Sequence, residues 1–77
     1  MPSLLLKPQE VKMARGIANL SVSELAELAG LSTREIRYIE RGGRANPGWG
    51  TMLALTRAIE AVAPLAMARL LSDSISK

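Results

Sequence analysis

Thr33, Arg34, Arg37, Tyr38 and Arg41 follow one another at steps of one, three, one and three. On a helix of roughly 3.6 residues per turn, this spacing gathers them on one face. That face offers three guanidiniums, a hydroxyl and a phenol, and no carboxylate. A guanidinium forks onto two acceptors at once, which suits guanine O6 and N7 as well as phosphate oxygens. Ile36 and Ile39 fall on the opposite side, with Leu31 just before them, as an apolar stripe that anchors a helix on a core. A helix divided in this way fits a duplex major groove. The plain alternative is a solvated charged face on a small helical protein. The distribution of charge argues for the first reading. Residues 34–44 carry four Arg against Glu35 and Glu40, whereas the rest of the chain carries six cations against five acids. Two of the three net positive charges therefore sit in that short window, as expected of a protein that gains affinity by releasing counterions from phosphates.

Other chemistry is poorly served. The chain has no Cys and no His, so it lacks a disulfide, a zinc–thiolate site, a Ser–His relay and the commonest general base. No enzyme activity, metal or cofactor is expected. No apolar run is long enough to span a membrane. Leu4, Leu5 and Leu6 are too few for a signal-peptide core, and a cytoplasmic location is expected.

The basic helix needs elements to hold it. Ser21-Val22-Ser23-Glu24 and Ser32-Thr33-Arg34-Glu35 both have the form of a capping box, in which the Ser oxygen takes the third N–H and the Glu reaches back. Gly30 between them is suited to end a helix in the left-handed region. Helix, Gly turn, helix, from Ser21 to Gly42, is the spacing of a helix-turn-helix. The helices are expected over Val22–Ala29, with Leu25, Ala26, Leu28 and Ala29 inward, and over Thr33–Arg41.

The remaining chain reads as all-α, rich in Leu and Ala and without β-branched runs. Its 77 residues form a single domain, with residues 1–7 as an N-terminal arm and 73–77 as a frayed tail. The three leucines of the arm either fold back on the core or add to a dimer contact. A first helix is expected from Pro8 to Ala18, with Val11, Ala14, Ile17 and Ala18 inward and Asn19 stopping it. Residues 42–48 form a loop in which Arg44 and Asn46 are placed to reach phosphate. A fourth helix is expected from Gly50 or Thr51 to Val62, with Met52, Leu55, Ile59 and Val62 inward and Trp49 plugging the base of the core. Pro64 breaks it, and a fifth follows to about Ser72, with Leu65, Ala68, Leu70 and Leu71 apolar and Arg69 its one charge. So apolar an end is either tucked into the core or shared with a second subunit. A chain this short is marginal alone, which favours a dimer. Leu65, Ala68, Arg69 and Leu71 are the expected interface.

The run from Ser23 to Ser32, with Ile36, Ile39-Glu40-Arg41-Gly42 and Asn46-Pro47, resembles the phage-repressor/Cro-like helix-turn-helix family of the xenobiotic-response-element type. The likeness spans roughly residues 8–72. It implies a compact five-helix DNA-binding domain, usually a homodimer on a palindromic operator. It also implies base reading by Thr33 and Arg34, base or phosphate contacts from Arg37 and Tyr38, and an Arg15–Glu40 ion pair joining helices 1 and 3. Val22 stands where many members carry a Gln that touches phosphate, and the loop after Gly42 is one residue longer than the commonest form. The N-terminus of helix 2 at Ser21, with Arg41, Arg44 and Asn46, is assigned to phosphates. The expected function is sequence-specific transcriptional regulation on double-stranded DNA, with half-sites about 34 Å apart. With no room for a ligand domain, control is expected from concentration, operator arrangement, or contact with the transcription machinery or a partner protein. The competing reading is a protein-interaction module of the same fold, such as an antitoxin or adaptor, using the leucine arm and the last helix.

Overall fold

The computed structural model describes residues 5–43, 47–65 and 67–68. A 3-10 turn over Pro8–Glu10 leads into α1 (Val11–Ile17), followed by α2 (Val22–Ala29), α3 (Thr33–Glu40) and α4 (Trp49–Val62). The described residues thus hold four α-helices rather than the five expected, and no strand. Past α4, Pro64, Leu65, Met67 and Ala68 are again helical, and the rest of the expected fifth helix lies outside the described residues.

Local chemistry accounts for the breaks. Asn19 (φ 59°), Gly30 (φ 71°) and Gly42 (φ 75°) take the left-handed conformation just past α1, α2 and α3. At the start of α2, Ser21 Oγ accepts the Glu24 N–H at 3.0 Å and the Glu24 carboxylate accepts the Ser21 N–H at 2.8 Å. At α3, Ser32 Oγ accepts the Glu35 N–H at 3.0 Å. Ala63 leaves the helical region (φ −139°, ψ 68°) because the following proline disfavours it. A new turn then begins, with the Met67 N–H donating to the Ala63 carbonyl at 2.9 Å.

The core is built from Leu6, Val11, Ala14, Leu25, Ala26, Ile36, Ile39, Met52, Leu55, Ala58, Ile59 and Met67. α2 lies against both α3 and α4, and α1 touches α3 and α4 in turn. Four expected core residues are at the surface instead. Ile17 shares an exposed ridge of α1 with Met13, and Leu28 lies round α2 from the Leu25–Ala29 ridge. Val62 is exposed in the last turn of α4. Trp49 does not plug the core. It is the first residue of α4, which starts earlier than expected because the Gly48 carbonyl accepts the Met52 N–H at 3.2 Å, and it is 67% exposed. It edges a mainly apolar recess of about 370 Å³ with Leu5, Leu6, Lys7, Pro8, Pro47 and Met52.

The arm folds back. Leu6 is buried, and its N–H donates to Thr56 Oγ1 at 3.0 Å. The Thr56 hydroxyl in turn donates to the Met52 carbonyl at 2.8 Å. Thr56 is the one buried polar residue among those described, and both of its bonds are internal.

Candidate nucleic-acid interface

α3 is buried on its lower face and exposed on its upper one. Ile36 and Ile39 are almost wholly buried, whereas Arg34, Arg37 and Tyr38 are exposed, and so is Arg41 just past the helix end. Thr33, in the first turn, is half-buried. No described carboxylate pairs with Arg34, Arg37 or Arg41. Thr33, Arg34, Arg37 and Arg41 line one cleft of about 340 Å³ with Glu40 and with Lys12 of α1. Tyr38 stands outside this cleft. Arg41 sits over its ring at 5.9 Å from the centroid, and the ring covers Gly43 so closely that a Cβ there would lie 2.5 Å from Tyr38 Cε1. Four of the expected base-reading and phosphate-binding side chains therefore meet on one surface, with Tyr38 packed against the turn that follows.

Arg15 and Glu40 lock α1 to α3. Arg15 Nε donates to Glu40 Oε2 at 2.8 Å and Nη2 to Oε1 at 3.0 Å, while Nη1 donates to the Leu20 carbonyl at 3.0 Å. The two side chains are only 18% and 8% exposed. The hydrogen bond to Glu40 is the main cause that raises the Arg15 pKa, burial opposes it, and the Glu40 charge adds to the rise. The forked geometry satisfies both carboxylate oxygens, so the one acid among the described lining residues has its charge taken up by Arg15.

Ser21 lies exposed at the N-cap of α2, where its lone pair serves the Glu24 N–H and its own hydroxyl hydrogen is left for another acceptor. Arg44 and Asn46 lie outside the described residues. Of the expected dimer surface, Leu65 is 86% exposed and Ala68 is exposed, whereas Arg69 and Leu71 lie outside the described residues. Sequence reasoning missed Lys12, which sits far from the Arg cluster along the chain. It also missed Met67, buried between the two exposed apolar neighbours Leu65 and Ala68.

A family model described as a helix-turn-helix domain matches residues 9–71. The chain belongs to the helix-turn-helix domain family. No curated protein and no solved structure gave a match. In this helix-turn-helix protein, α2 and α3 are the two helices of the motif and Gly30 to Ser32 their turn. No described helix is long and apolar enough to cross a membrane, and no described group of acids has the clustering needed to hold a metal ion.

Proposed function

We propose that this helix-turn-helix protein is a sequence-specific transcriptional regulator that binds duplex DNA as a homodimer. The observation that carries this reading is the outer face of α3. Arg34 and Arg37 stand exposed there without a carboxylate partner among the described residues, on a helix whose other face is fixed in the core by Ile36 and Ile39. A rigid helix presenting unpaired guanidiniums is built to enter a major groove. Thr33, Arg34, Arg37 and Tyr38 read bases, while Ser21, Arg41, Arg44 and Asn46 hold phosphates. The partner subunit packs on the apolar surface marked by Leu65 and Ala68, and the protein acts in the cytoplasm. No catalytic role is assigned.

Selection of bound duplexes from a random pool tests this directly. A palindromic consensus with half-sites one helical turn apart is the expected result. An unenriched pool would sink sequence-specific binding. The exposed Leu65 and Trp49 support a second reading, a protein-interaction module such as an antitoxin or adaptor. Salt-dependent binding to random duplex separates the two, because such a module gains nothing from counterion release.

A further inference from the structure

The geometry points to Lys12 as a phosphate-positioning residue, so that α1 holds the duplex together with α3. This rests on the DNA-binding reading above and extends the contact surface beyond the helix-turn-helix itself. Lys12 follows the buried Val11 and precedes Arg15 by three residues, so the two side chains share one side of α1. Arg15 is pinned to Glu40 on α3, which shows that this side of α1 looks toward α3. Lys12 accordingly lines the cleft with Thr33, Arg34, Arg37, Glu40 and Arg41.

The electrostatics of that cleft are one-sided. Lys12, Arg34, Arg37 and Arg41 bring four positive charges, and no described carboxylate pairs with Lys12. Glu40, the acid on the lining, has both oxygens engaged by Arg15. The uncompensated charge calls for an anion, and a volume of about 340 Å³ admits a sugar–phosphate segment of backbone. An ammonium is a point charge without forked geometry, so it suits a phosphate better than a base edge. When α3 lies in the groove, Lys12 meets the strand that borders it.

The test compares the full-length protein with Lys12→Ala, Lys12→Arg and Arg57→Ala. Arg57 is exposed on α4 and does not line the cleft, so its loss removes one charge elsewhere. Lys12→Ala should keep the wild-type helical signal and melting curve, since Lys12 is exposed. It should weaken binding to the selected operator and to unrelated duplex by the same several-fold factor. Its log–log salt slope should be shallower by about 0.9 per subunit, the value of one phosphate contact, and so by about twice that for the bound dimer. Lys12→Arg should restore affinity and slope. If Lys12→Ala matches Arg57→Ala, the effect is one of net charge alone and the assignment is overturned. A loss confined to particular sequences overturns it as well. If the wild-type protein itself shows no salt-dependent binding to any duplex, the DNA reading falls first and takes the Lys12 assignment with it.

Discussion

Arg34 and Arg37 differ from Arg15 in what surrounds them, and that difference assigns their roles. Arg15 spends its guanidinium on Glu40 and the Leu20 carbonyl, whereas Arg34 and Arg37 stand free of any described carboxylate. Arg34→Ala should cost about 1–3 kcal/mol of operator affinity and relax preference at one base pair, measured by titrating the selected site and its single-base variants. An unchanged preference would remove Arg34 from the base readers. Arg44→Ala should instead weaken all duplexes alike and flatten the salt slope, and a sequence-selective loss would refute that role. Gly43 matters through its neighbour. A methyl group there would lie 2.5 Å from the Tyr38 ring, so Gly43→Ala should displace the ring, shift its NMR signals and alter the preference at the base it meets. Unmoved ring signals would show that the turn yields instead. The Arg15–Glu40 contact is one that spacing alone does not supply. The two residues are far apart in the chain, and only the likeness to the repressor family named them as a pair.

At the scale of elements, what was legible in the sequence was what is decided locally. The capping Ser21 and Ser32, the left-handed Asn19 and Gly30, and the break before Pro64 each depend on a few neighbouring residues. Periodicity likewise placed Val11, Leu25, Ile36, Leu55 and Ile59 in the core. It does not say how wide a buried stripe is or where the covering element stops, so Ile17, Leu28 and Val62 were misplaced at its margins. Trp49 was misplaced because α4 begins with it. The Arg15–Glu40 lock should show its worth as a loss on truncation. Glu40→Ala leaves a half-buried guanidinium without its carboxylate, and a destabilisation of about 2 kcal/mol is expected, between that of a surface pair and that of a fully buried one, read from thermal or urea melting. A change below about 1 kcal/mol would place the pair with ordinary surface ion pairs. The raised Arg15 pKa means that its contribution is complete below the ordinary guanidinium range and is lost only as pH climbs through the still higher folded value. Stability should therefore show no Arg15-dependent change between neutral and moderately alkaline pH.

For the whole molecule, size sets the terms. A chain of 77 residues buries a modest core and has little stability to spare, and an 86% exposed Leu65 is apolar surface that a second copy would remove from water. If the homodimer forms there, the melting temperature should rise with protein concentration, and Leu65→Glu should abolish that dependence. A concentration-independent melt in the wild type would count against this surface. The hydroxyl of Thr56 has a further consequence for the way the protein is handled. It clasps the backbone of Leu6 from inside the molecule, beside Leu5 packed against the same core. Trimming past Leu6 would remove the plug and strand the hydroxyl's acceptor lone pair in a hole. Thr56→Val makes the converse injury, leaving the Leu6 N–H without its acceptor, at a cost of about 1–3 kcal/mol read from urea melting.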